Sequence, residues 1–221
     1  MRQFSVLARL SSCTLTAALA LVMPACVGQA PEEVDLDDAV GTAEQAGATS
    51  QCVAYRRGVS GIVADTTIWE SSPNYNNSAN ILINTGIGGA GFRQALLYFD
   101  ISGIPAGVRI DSAVLHLSEL YKETGSTVDI HEVLAPWSEG TTTWNSFAGA
   151  FDPTPSTSFF AWGGGVHQIH VEALIQSWVN GDSENHGFLL QEDEVSSEFR
   201  SSEHSTVDVR PRLKVCYSPA P

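Results

Sequence analysis

Positive charge is scarce in this sequence. Its 221 residues hold 11 Lys and Arg against 25 Asp and Glu, a formal net charge of −14. A surface of that sign repels phosphate backbones and anionic headgroups, which excludes nucleic acid and any membrane contact made through a basic patch. Long apolar runs are missing too. The longest, Leu10 to Ala25, is shorter than the roughly 20 residues a helix needs to cross a bilayer. Cysteine is limited to four residues, and none has the paired Cys or His spacing of a zinc site. Catalytic signatures are also lacking: there is no Gly-x-Ser-x-Gly elbow, no phosphate loop and no His-Glu-x-x-His. An enzyme is therefore not expected. With 25 acids some facing carboxylate pair of the glycosidase kind can always be named; Glu139 and Glu203 are the pair to test. His167 and His170, three apart in an expected strand, face opposite sides and make no metal or catalytic pair.

The start of the chain is informative. Met1 to Arg9 carries two arginines and no acid, a short apolar stretch follows, and small residues precede a break, the plan of an export signal over residues 1–25. Met23-Pro24-Ala25-Cys26 resembles the lipobox of bacterial lipoproteins, with Met23 and Pro24 departing from its commonest form. The resemblance implies a lipidated Cys26 and an outer-membrane or cell-surface lipoprotein that meets the membrane only through its acyl chains. Plain cleavage and secretion is the alternative.

Removing residues 1–25 leaves 9 bases against 25 acids, a charge of about −16. Residues 26–50 follow as an anchored acidic tether: residues 27–50 hold six acids and neither a base nor an aromatic, too little apolar surface to offset the entropy of ordering. Cys13 leaves with the signal and Cys26 is committed to lipid. Cys52 and Cys216 then remain in an oxidising compartment, and a disulfide between them is expected. Such a clasp, about 164 residues apart, sets the first and last strands side by side.

Residues 51–221 read as one all-β domain. Val114–Leu117, Val128–Val133 and Arg212–Cys216 alternate in character. Residues 79–84, 95–101 and 187–191 are further strand candidates, bounded by Gly, Pro, Asn and Ser. Only Val171–Val179 has helical spacing, with Val171, Leu174, Ile175 and Trp178 on one face and Asn180-Gly181 as the stop. Short strands with one brief helix predict an antiparallel β-sandwich, a jelly roll.

Seven phrases in order resemble one family, the DNRLRE-domain proteins, also classed as carbohydrate-binding module family 96. They are Asp65-Thr66-Thr67-Ile68; Ser72-Pro73-Asn74-Tyr75-Asn76-Asn77; Arg93 to Ser102 with Ile104-Pro105-Ala106-Gly107; Ser112 to Leu117; Pro136 to Asn145; Ser177 to Gly181 with Asn185 to Leu190; and Ser201-Ser202-Glu203 with Arg210-Pro211-Arg212-Leu213. The family's titular hexapeptide is absent as such. The resemblance implies a β-sandwich module that binds polysaccharide, acidic in some members, without chemistry. The competing reading is a structural or adhesive extracellular domain that meets protein or matrix and has no defined glycan.

Sugar rings stack on exposed aromatic faces, so the five tryptophans are the first candidates. Trp178 lies on the helix's apolar face and belongs to the core, and Trp137 and Trp144 read as core or loop-locking. Trp69 with nearby Tyr75, and Trp162 ahead of three glycines, are the expected stacking residues. Arg93, Arg200 and Arg210 carry the fork of donors that matches a sugar carboxylate, and Arg93 is the one taken as a ligand residue; in so acidic a chain each is also expected to pair with an acid such as Glu203. No cofactor is expected beyond a structural calcium, for which Asp100 and Asp182 are weak candidates: the first sits in a strand-ending turn where it bonds nearby amides, the second in an oxygen-rich turn.

Overall fold

The computed structural model describes residues 49–89, 91–120 and 124–220. The expected export signal, the lipidated Cys26 and the acidic tether up to residue 48 lie outside the described residues.

Eleven strands form in chain order: β1 (Gln51–Tyr55), β2 (Val63–Trp69), β3 (Leu82–Gly88), β4 (Gly91–Phe99), β5 (Arg109–Glu119), β6 (Ser126–Glu132), β7 (Thr157–Ala161), β8 (Gly165–His170), β9 (Phe188–Gln191), β10 (Ser197–Arg200) and β11 (Arg212–Ser218). All their pairings are antiparallel. In the first layer β5 is central. β11, which carries β1 on its other side, and β10 follow one another along one edge of β5, and β8 lies along the other. The second layer runs β2-β4-β9-β6-β7. The expected all-β sandwich is what forms.

One strand belongs to both layers. Leu82 to Thr85 of β3 pair with β10, and Gly86 to Gly88 pair with β4. The crossing falls at Gly86, whose φ of +77° lies in the left-handed region, and a Cβ there would overlap the Val195 carbonyl oxygen. Only glycine meets both conditions without strain.

Alternation sets which faces are buried. Ala113, Leu115 and Leu117 of β5, Leu213 and Val215 of β11, Ala95, Leu97 and Phe99 of β4, Phe188 and Leu190 of β9, and Val128 and Ile130 of β6 meet between the layers. The alternate residues Leu96 and Leu189 face outward with Ile68, and Val133, Phe147, Trp137 and Trp144 cover them in a second, smaller core. β2 therefore shows no apolar-polar alternation, since both its faces are covered.

Helix α2 (Glu172–Asn180) starts and ends one residue later than the sequence predicts and stops at Gly181, whose φ is +79°. It buries Leu174, Ile175, Trp178 and Val179. Its polar side chains fasten β5: Glu172 accepts from the Ala113 N–H at 3.2 Å and Gln176 from the Ile110 N–H at 2.7 Å. The single turn α1 (Trp144–Phe147) has no counterpart in the sequence reading. It is held by a reciprocal cap in which Ser146 N–H donates to Thr143 Oγ1 and Thr143 N–H donates to Ser146 Oγ.

Cys52 and Cys216 form the expected disulfide, opposite one another in the β1–β11 pair. Replacing both by Ser is expected to lower unfolding stability by up to about 4–5 kcal/mol, the loop-closure value for so long a loop. Urea unfolding of the oxidised chain against the double variant measures this.

Candidate functional site

Three of the four expected ligand residues meet at one corner of the second layer. Trp69 ends β2 and lies opposite Arg93 in β4. The Arg93 guanidinium carbon stands 5.1 Å from the Trp69 ring centre, a cation–π distance. The Tyr75 ring packs on Trp69 with centroids 5.4 Å apart and planes 46° apart, and Tyr75 remains 52% exposed. Trp69 thus acts as the support, half-buried between a cation and a phenol, and Tyr75 offers the open face.

The loop that carries Tyr75 is fixed by its own polar residues. Asn76 Nδ2 donates to the carbonyls of Glu139 and Thr142, each at 2.8 Å. Asn145 donates from its backbone to the Pro73 carbonyl at 2.9 Å and from its side chain to Asn74 Oδ1 at 2.9 Å. Two of the seven phrases are therefore sewn together, and the shelf is preorganised.

Trp162 does not join this shelf. It follows β7, at the opposite edge of the second layer from β2. Four strand intervals separate those edges, roughly 19 Å at about 4.8 Å each. There Trp162 is 71% exposed beside Phe160 at 57%, both flanking Gly125. Trp137 and Trp178 are tied inward, donating to the His186 carbonyl at 2.8 Å and to Glu132 Oε1 at 2.7 Å. Trp137 also lines a cavity of about 290 Å³ with Ala64, Tyr98, Pro136, Asn185 and His186.

The weak metal candidates do not sit together. Asp100 Oδ1 accepts from the Ser102 N–H at 3.0 Å, and hydrogen bonds from Ser102 hold its carboxyl below the usual range. Asp182 is exposed and accepts from Asn180 Nδ2 at 3.2 Å. The carboxylates that do gather are Asp65, Glu139 and Glu203, with one oxygen from each lying within 4.8 Å of the others. Glu139 and Glu203, singled out as a pair in the sequence, are thus neighbours, and Asp65 is the member sequence reasoning missed. The three come from three separate phrases.

This cluster lies where β2 meets the Ser201–His204 segment. Asp65 is 1% exposed. Its Oδ2 accepts from the Ser202 N–H at 2.7 Å, and its own N–H donates to Glu139 Oε1 at 3.0 Å. Asp65 Oδ1 is buried and has no hydrogen-bond partner. Arg57, not Arg200 or Arg210, supplies the counter-charge: its Nη1 stands 2.6 Å from Glu139 Oε1 and 2.6 Å from Glu203 Oε1. Arg200 and Arg210 bond His204 instead, at its Nε2 and its carbonyl. Burial, then the Glu203 charge, lifts the Asp65 carboxyl well above its ordinary range. Burial, then Glu139, raises Glu203. Burial works against the Arg57 charge, but the hydrogen bond to Glu139 and the Glu203 field outweigh it and strengthen its hold on the proton.

The sandwich thus presents an aromatic shelf beside a guanidinium at one corner of its second layer. The family model described as carbohydrate-binding module family 96 matches residues 60–217, and the chain belongs to that family. No curated protein matches the chain.

Arg57→Met keeps the aliphatic stem and removes the charge that three carboxylates share. It is expected to lower stability by about 1–3 kcal/mol, less than a fully buried pair because the side chain is 39% exposed. Denaturant unfolding in the presence of a chelator reads it, and a midpoint equal to wild type would remove Arg57 from this role.

Proposed function

We propose that this protein binds polysaccharide without cleaving it, and that Tyr75, supported by Trp69 and flanked by Arg93, forms the principal contact. The observation that carries this reading is the packed Arg93–Trp69–Tyr75 shelf, on a chain of carbohydrate-binding module family 96. The apolar face of a sugar ring stacks on Tyr75, and Arg93 offers donors to a hydroxyl or, in an acidic polysaccharide, to a carboxylate in the bidentate manner a lysine lacks. The absence of chemistry is supported by Arg57, whose Nη1 fills the space between Glu139 and Glu203 where a scissile bond would have to lie.

A well-packed aromatic contact is worth about 0.5–1.5 kcal/mol beyond its buried area, up to about tenfold in affinity before the buried area is counted. Tyr75→Ala is therefore expected to weaken binding about tenfold or more in calorimetric titrations with polymannuronate, polyguluronate and neutral glucans. Arg93→Gln is expected to abolish any preference for the uronates and to leave neutral binding in place. The Trp162 and Phe160 edge supports the second reading, an adhesive domain with a protein or matrix partner. If every polysaccharide fails to bind, that reading replaces the first.

We further propose that the chain is exported, carries lipid on Cys26 and is displayed at the cell surface. The Cys52–Cys216 disulfide supports an oxidising compartment. A Cys26→Ser variant is expected to leave the membrane fraction and lose its acyl mass by mass spectrometry. Membrane association that persists in the variant would count against the anchor.

A further inference from the structure

The Asp65, Glu139 and Glu203 cluster is the one place among the described residues where at least three metal-ligating side chains converge. Its donors are all carboxylate oxygens, with no His or Cys. That hard set suits calcium or magnesium and not zinc or copper. The spacing admits calcium. A cation about 2.4 Å from each oxygen sets opposite ligands at most about 4.8 Å apart, and the three oxygens fall within 4.8 Å of one another. Magnesium prefers shorter bonds and retains most of its waters.

An acidic cluster by itself is common on protein surfaces, but this one has a buried member. Asp65 Oδ1, on a residue 1% exposed, receives no hydrogen bond from any backbone, hydroxyl or guanidinium donor. A buried carboxylate oxygen without a partner is costly. The Ser202 hydroxyl, 3.2 Å from Arg57 Nη1 and from Glu203, adds a fourth nearby oxygen. Charge points the same way: with all three carboxyls ionised, as a bound cation would hold them, the cluster and Arg57 together carry two negative charges. Arg57 is also the most exposed of the ion-pair members, its side chain 39% accessible against 23% for Glu139 and 17% for Glu203. It can swing outward without uncovering the core.

We propose that Asp65, Glu139 and Glu203 form a calcium site in which Arg57 competes with the ion for the two glutamates. Calcium there ties β2 to the 136–145 loop and to the Ser201–His204 segment. The inference does not depend on the glycan reading.

The test uses the full chain in detergent, stripped with EDTA and held at constant ionic strength. Addition of calcium chloride is expected to raise the thermal unfolding midpoint by several degrees, and magnesium chloride by less. Calorimetry should give one calcium per chain above the weak background of a protein this acidic. Asp65→Asn, which keeps an oxygen for the Ser202 N–H, and Glu203→Gln are expected to lose both signals. Asp182→Asn should keep them. Arg57→Met is expected to bind calcium more tightly than wild type and to recover in calcium the stability it loses in EDTA. No midpoint shift in a folded wild-type chain would overturn the proposal. So would a shift of equal size in Asp65→Asn or Glu203→Gln, and so would unchanged calcium affinity in Arg57→Met.

Discussion

A carboxylate placed between two β-layers has to be answered by its surroundings, and the answer given to Asp65 organises one whole side of this sandwich. Asp65 shares the inward face of β2 with Val63, so its side chain enters the region where the layers meet. The Ser202 amide comes from the segment between β10 and β11 and belongs to the opposite layer. Glu139 arrives from the loop that covers the second layer's outer face, and it also accepts the Asp65 amide, a donor on the unpaired edge of β2. Edge strands need such cover. One carboxyl group therefore joins the first layer, the second layer and the covering loop, and Arg57 binds that junction from outside.

From the same loop, order extends to the aromatic shelf. The carbonyl of Glu139 receives Asn76, the residue after Tyr75. The side chain of Glu139 works in the acidic cluster while its backbone holds the aromatic shelf. Positions of Tyr75 and Asp65 are thus coupled through a single residue, and the aromatic shelf can be rigid although it stands on loops. Rigidity of this kind lowers the ordering cost of binding.

Much of this architecture is legible in the residues, and what is not has physical causes. Helix α2 shows because Leu174, Ile175 and Trp178 recur on one face and Gly181 ends it. The disulfide shows because only two cysteines remain once export is assumed. β2 escapes a reading by alternation because both its faces are buried. The turn at Trp144 escapes because four residues are too few for a period, and only the spacing of Thr143 and Ser146 signals it. Trp69 and Tyr75 are close in sequence and could be paired by eye. The cluster is different: Arg57, Asp65, Glu139 and Glu203 are brought together by strand order, and nothing in their spacing announces it. The arginines that stand out in the sequence beside Glu203 are Arg93, Arg200 and Arg210, whereas folding delivers Arg57.

The disulfide has a mechanical consequence. Cys52 and Cys216 face each other across the β1–β11 pair, so tension applied to the segments outside them passes through one covalent bond. Residues 53–215 form a closed loop that carries none of that load. The module can be pulled along its backbone ends without being unravelled from them.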